Sequence, residues 1–191
     1  MARWEPNAAG RLREAALELF EERGFEQTTV AEIAARAGLT ERTFFRHFAD
    51  KREVLFRGSE ELVDTLVTGV DRAPAEATAL EAVTAALEAA GAAFAPEFAR
   101  RRRAVILATP ELQERELMKL TSLTDALAGA LRRRGVGESV ARLAGETGIA
   151  VFRITFDRWV TDPAQRPWTE HLHGALAELD ELVLGAPQRA G

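Results

Sequence analysis

The sequence has no cysteine and no tyrosine, only three histidines, and just two lysines, Lys51 and Lys119. Without cysteine there is no disulfide, thiolate metal site or cysteine nucleophile, a composition that fits a reducing cytoplasm. The histidines do not replace them: His171 and His173 stand two apart, about 200° around a helix, and cannot grip one metal ion together. No phosphate-cradling glycine loop and no zincin motif is present, so neither a cofactor, a metal nor an enzymatic function is expected. No apolar run approaches the roughly 18 residues of a membrane span. The opening MARWEPNAAG lacks the charged-then-apolar layout of a signal peptide. A soluble, cytoplasmic protein is the expectation.

What is present is helix-forming sequence with unevenly placed charge. Hydrophobic residues make up 47% and charged residues 29% of the 191, as in a globular protein, and the formal net charge is -5. From Arg36 to Arg52, however, five cations (Arg36, Arg42, Arg46, Lys51 and Arg52) stand against Glu41 and Asp50, a local balance of +3. Three of the ten phenylalanines, Phe44, Phe45 and Phe48, lie among them. The distribution of charge over one face, not the total, decides whether a polyanion can bind there.

The apolar spacing is helical almost throughout, and no strand, repeat or low-complexity tract stands out. Leu12, Ala16, Leu19 and Phe20 recur at i, i+4, i+7 and i+8, which predicts a first helix from about Gly10 to Arg23, stopped by Gly24. Thr29 and Glu32 form a capping box for a second helix, VAEIAARA. Gly38 ends it, and Thr40 caps a third through about His47. A fourth is expected from Asp50 towards Asp71. Prolines then divide the chain into helical segments near 76 to 94, 96 to 108, 110 to 134, 138 to 161 and 168 to 184. The reading is all-α: an N-terminal helical domain over 6 to 66 and a larger one over 67 to 191.

Two short helices joined by a tight glycine turn, with Ala34, Ala37 and Gly38 small where they cross, form a helix-turn-helix pattern over about 29 to 48. Phe44 and Phe48 are four apart and face inwards together. The opposite face carries Thr40, Glu41, Thr43 and His47, flanked by Arg42 and Phe45, groups that reach phosphates and base edges. The order of residues then carries a resemblance. The stretch RGFEQTTVAEIAARAGLTERTFFRHFADKREVLF resembles the DNA-binding domain of the TetR family of transcriptional regulators, whose pattern runs T-V-x-x-I-A-x-x-A-G-V-S-x-x-T-x-Y-x-H-F-x-x-K-x-x-L. The resemblance implies a phosphate-meeting cap at Thr29 and groove-facing positions at Thr40, Glu41, Arg42 and Thr43. It implies a phosphate-binding histidine at His47 and a lysine of the same kind at Lys51. Phe45 stands where tyrosine is common, so it offers stacking or a thymine-methyl contact. Arg42 replaces a small residue and can bind guanine bidentately.

Modules of this kind bind palindromic operators as two-fold dimers. Val140, Leu143, Ala144, Thr147, Val151, Ile154 and Trp159 on 138–161, with Leu172, Ala175, Leu176, Leu179, Leu182 and Val183 on 168–184, are the expected homodimer stripes. Phe94, Phe98, Ile106, Met118, Phe152, Arg153 and Phe156 are candidates for an effector cavity. The segment RRRAVILATPEL resembles the acyl-CoA-ligand-like branch of the family, which implies an apolar or anionic, acyl-type effector. The implied function is a ligand-responsive repressor that leaves its operator when the effector binds. A ligand-independent DNA-binding factor and an all-helical enzyme are the alternatives.

Overall fold

In the computed structural model, residues 7–185 are described, and among them every regular element is helical. The helices are α1 (Ala8–Arg23), α2 (Val30–Arg36), α3 (Glu41–His47), α4 (Ser59–Arg72), α5 (Ala79–Gly91), α6 (Pro96–Leu107), α7 (Pro110–Arg133), α8 (Glu138–Thr161) and α9 (Trp168–Leu184). The expected domain limits at residues 6 and 191 lie outside the described residues.

The helix starts follow local capping chemistry. Asn7 accepts from the Gly10 amide at 3.2 Å, which starts α1 two residues ahead of the expected Gly10. Thr29 and Glu32 form the expected capping box, and Thr78 with Glu81 forms a second one ahead of α5. The fourth helix departs from expectation. Asp50 accepts from the Arg52 and Glu53 amides, opening a 3-10 turn over Glu53–Phe56. Gly58, at φ +96, then breaks the chain direction before α4 begins at Ser59. The sequence pattern missed this because Val54, Leu55 and Phe56 are apolar in a helical register, yet all three are buried consecutively.

The chain forms two compact units: residues up to Ser59 with Glu97–Met118, and Glu60–Pro96 with the chain from Lys119 onwards. The expected division at 66/67 follows the chain, whereas packing draws 97–118 into the first unit. Val105, Ile106 and Leu112 belong to the same buried cluster as Leu12, Leu17, Ile33, Phe44 and Leu55. Charge reinforces the grouping. Arg101 pairs with Glu14 and, at 2.6 Å, with Glu21, and Arg102 donates to the Leu55 carbonyl at 2.7 Å and to Glu116 at 3.1 Å.

The second unit is built on close helix approaches. A Cβ on Gly69 would overlap Ala86, one on Gly148 would overlap Val83, and one on Gly91 would overlap the indole of Trp168. That indole donates to the Leu87 carbonyl at 2.9 Å. Arg134 donates to the carbonyls of Val70 and Ala73 at 3.0 and 2.8 Å, satisfying the end of α4.

The expected dimer stripes divide in this unit. Val151, Trp159, Leu172 and Ala175 are buried in its own core, while Val140, Leu143, Ile154, Leu182 and Val183 are exposed.

Candidate nucleic-acid interface

The helix-turn-helix is assembled from the core outwards. Phe44 is fully buried and Phe48 nearly so, their rings 5.4 Å apart, so α3 has one rotational setting against the first unit. The turn before it is tight: Leu39 N donates to Ala34 O at 2.8 Å, and Gly38 takes φ +66. Arg11 donates its guanidinium to the Ala37 carbonyl, and a Cβ on Gly38 would meet that guanidinium at 2.8 Å. Glycine is therefore favoured there by its left-handed conformation.

Fixing the inner face fixes the outer one. Glu41, Arg42, Phe45 and Arg46 are exposed on α3, Phe45 at 56%. The two threonines turn inwards on each other: Thr40 Oγ1 accepts from the Thr43 amide at 3.2 Å, and the hydroxyls lie 3.0 Å apart. Thr29 is likewise engaged with Glu32, whose carboxyl is held below the usual carboxylate range by the Thr29 amide. Of the expected contact residues, Arg42 and Phe45 have the freest reach.

His47 and Lys51 sit differently from a pair of phosphate-facing cations. His47 Nε2 is enclosed without a hydrogen-bond partner among the described residues. Burial, then the charges of Arg46 and Arg57, pulls its pKa below the ordinary value, which disfavours the charged imidazolium. Lys51 Nζ donates to the carbonyls of Phe25 at 2.8 Å and Thr28 at 3.2 Å, and it stands 4.2 Å above the Phe25 ring. Lys51 thus closes the loop between α1 and α2.

The local excess of positive charge is similarly rearranged. Arg36 pairs with Glu18 and Glu22 of α1 at 3.0 and 2.8 Å, and Arg52 with Asp50 at 2.7 Å. Arg42, Arg46 and Arg57 remain exposed and without an ion pair among the described residues. Arg46 and Arg57 were absent from the expected contact set. Arg46 was legible, lying about 200° around the helix from Phe44, whereas Arg57 stands beyond the 3-10 turn and acts on His47 through its charge, ten positions away in the chain.

The effector candidates separate. Phe94, Phe152 and Phe156 meet, with centroids 5.9 to 6.0 Å apart. Phe98 and Ile106 instead belong to the first unit, Phe98 under the Arg13 guanidinium at 3.9 Å. Met118 in that unit and Arg153 on α8 are exposed. Arg101 and Arg102, the first two residues of the acyl-like segment, are engaged by Glu21 and by the Leu55 carbonyl. Between α4 and α5 an open groove of about 540 Å³ is lined by Asp64, Thr68, Arg72 and Ala85 among others; nothing in the sequence pattern pointed to it. Among the described residues no three His, Asp or Glu side chains group as a metal site, and no helix is long and apolar enough to cross a membrane.

Comparison with known proteins agrees with the geometry. Residues 12–57 match the family described as "Bacterial regulatory proteins, tetR family", and residues 76–183 match the "MftR C-terminal domain". A Mycobacterium tuberculosis protein named as the mycofactocin biosynthesis transcriptional regulator MftR is 28% identical over 156 residues, 79% of each chain. A transcriptional regulator from Pseudomonas aeruginosa PAO1 shares the fold with TM-score 0.66 at 21% identity, covering 97% of this chain and 95% of its own. Thermus thermophilus FadR, solved in complex with lauroyl-CoA, does so with TM-score 0.54 at 24% identity, covering 96% and 97%.

Proposed function

The chain belongs to the tetR family of bacterial regulatory proteins, with a C-terminal domain of the MftR type, and on that premise we propose a cytoplasmic, effector-responsive repressor that binds a palindromic operator as a homodimer. Proteins of this family are transcriptional regulators and not enzymes. The observation that carries the reading is the outer face of α3, which presents Arg42, Phe45 and Arg46 from a helix held by Phe44 and Phe48. Arg42 reads guanine through its O6 and N7, Phe45 supplies an apolar contact, and Arg46 and Arg57 provide positive charge for phosphates.

Two copies associate through the exposed residues of α8 and α9, Val140, Leu143, Ile154 and Leu182. A two-fold dimer places its recognition helices about one duplex turn apart, roughly 34 Å. An effector that prefers a conformation with other spacing weakens operator binding by its differential affinity, typically about 1 to 3 kcal/mol. The likeness to FadR and the apolar interior of the second unit support an apolar or anionic effector.

The test is fluorescence anisotropy on an operator selected by the protein from random DNA. Arg42→Ala should cost about 1 to 3 kcal/mol on the selected site and little on a scrambled one. Equal loss on both would remove Arg42 from base reading.

A further inference from the structure

The second unit contains a closed circuit of four aromatic rings capped on one side by a fifth. Phe152 and Phe156 lie 6.0 Å apart, Phe156 and Trp159 6.0 Å, Trp159 and Trp168 5.9 Å, and Trp168 and Phe152 5.6 Å. Phe94 is the hub of the contacts, lying over one side of the circuit within 5.2 to 6.0 Å of all four and perpendicular or nearly so to Phe152, Phe156 and Trp168. The wall is rigid: Trp168 lies on Gly91 and is tied to Leu87.

The hub is not part of that wall. Phe94 comes from the linker between α5 and α6, where its neighbours Ala92, Ala93 and Ala95 are exposed. Short-range backbone bonds inside the turn, from the amides of Ala92 and Ala93 to Ala90 O and from Phe94 N to Gly91 O, hold its course. The linker is thus anchored mainly by the one ring.

A second, independent feature lies on the stripe of α8 that carries three of the rings. Thr155 is fully buried, and its hydroxyl has no hydrogen-bond partner among the described residues. On α8 it shares the stripe Phe152, Thr155, Phe156, Trp159 at i, i+3, i+4 and i+7. Buried hydroxyls are almost always satisfied, and an orphan in a packed core calls for a partner supplied from elsewhere.

We infer that this box is a ligand site occupied in the present state by the protein's own Phe94, and that its ligand is a ring-sized aromatic molecule with one hydrogen-bonding substituent, of the phenol class. The ring takes the place of Phe94 in its T-shaped contacts with Phe152, Phe156 and Trp168, and the substituent pairs with Thr155 Oγ1. Displaced, Phe94 swings out on its alanine linker. The inference rests on the effector-binding role proposed for this unit and narrows it from apolar molecules in general to one shape and one polar group. A quaternary ammonium would also suit π faces, but it would leave the Thr155 hydroxyl unpaired.

The test uses the full chain with Trp4→Phe, so that Trp159 and Trp168 alone report, titrated with phenol, toluene, tetramethylammonium and lauroyl-CoA. Phenol should shift the tryptophan emission and bind better than toluene. Thr155→Val should weaken phenol about tenfold, the loss of one hydrogen bond, and leave toluene unchanged. Phe94→Ala, which removes the internal competitor, should tighten phenol at least tenfold; Thr155→Val, close to isosteric, keeps the test decisive if that variant does not fold. Equal binding of phenol and toluene, no gain in Phe94→Ala, or tetramethylammonium binding in place of phenol overturns the assignment. Lauroyl-CoA releasing operator DNA while phenol leaves the emission unmoved would overturn the box alone and leave the wider effector reading standing.

Discussion

Replacing Lys51 with methionine separates a structural lysine from a phosphate contact. The methionine keeps the apolar stem against Phe25 and removes only the ammonium, which donates at 2.8 Å to Phe25 O and 3.2 Å to Thr28 O, with Glu26 O at the limit of 3.5 Å. Hydrogen bonds to a charged group contribute about 1.5 to 3 kcal/mol when buried. Here the site is only part-buried, so the two short bonds and the cation over the ring together are discounted to about 2 to 3 kcal/mol. The loss falls on the loop that leads into α2, where Phe25 packs on Phe20 at 5.2 Å and Thr28 donates to Gly24 O at 2.9 Å. Urea unfolding should therefore show a stability loss of that size. Operator and scrambled DNA should weaken alike, because the geometry of the whole head is loosened. The slope of log affinity against log salt should stay unchanged. A lysine on a phosphate gives the opposite pattern: intact stability and a slope reduced by about 1 per protomer, or about 2 for a dimer. That pattern would refute the structural role.

Three further perturbations probe the second unit. Asp162 accepts from the amides of Ala164 and Arg166, from Arg166 Nε at 2.8 Å and lies 3.1 Å from His171 Nε2; the Arg166 guanidinium leads in holding its carboxyl far below the usual range. A carboxyl lowered in the folded state stabilises above its unfolded pKa of about 3.9 and ceases to do so as pH falls further. Wild type should thus exceed Asp162→Asn in urea melts by a constant margin down to about pH 5, and the margin should narrow below about pH 4; a margin flat to pH 3 would contradict the linkage. Gly91→Ala forces a methyl into the Trp168 indole and should cost about 3 kcal/mol with a red-shifted emission, whereas a neutral result would mean that the α5–α9 contact is not as close as described. Leu143→Glu, at a residue 68% exposed, should leave circular dichroism unchanged and raise the dimer dissociation constant at least about thirtyfold in light scattering; an intact dimer would exclude this face of α8.

The cations of the head show where one-dimensional counting falls short. Five positive charges from Arg36 to Arg52 look alike in sequence. Folding commits Arg36 to α1, Arg52 to Asp50 and Lys51 to the loop carbonyls. The exposed, unpaired cations that remain are Arg42 and Arg46, joined by Arg57 from beyond the counted stretch. The same separation applies to the effector candidates. Apolar side chains on four helices look interchangeable in a periodic pattern, yet Phe94, Phe152 and Phe156 converge while Phe98 and Ile106 serve another core.

Much of the architecture was determined by the sequence alone, because its causes are local. Capping boxes at Thr29 and Thr78, the Gly38 turn and the proline punctuation act within four residues, and α8 and α9 begin and end where their breakers stand. The inner face of α3 was equally legible, since two phenylalanines four apart define a side of a helix. Only the tertiary structure decided what depends on residues far along the chain. It bent the fourth helix at Gly58, drew 97–118 to the head through Val105, Ile106 and Leu112, turned Lys51 onto carbonyls 23 to 26 positions away, and brought four rings together under Phe94. These contacts pair groups whose separation along the chain carries no period, and burial, not spacing, selects their partners.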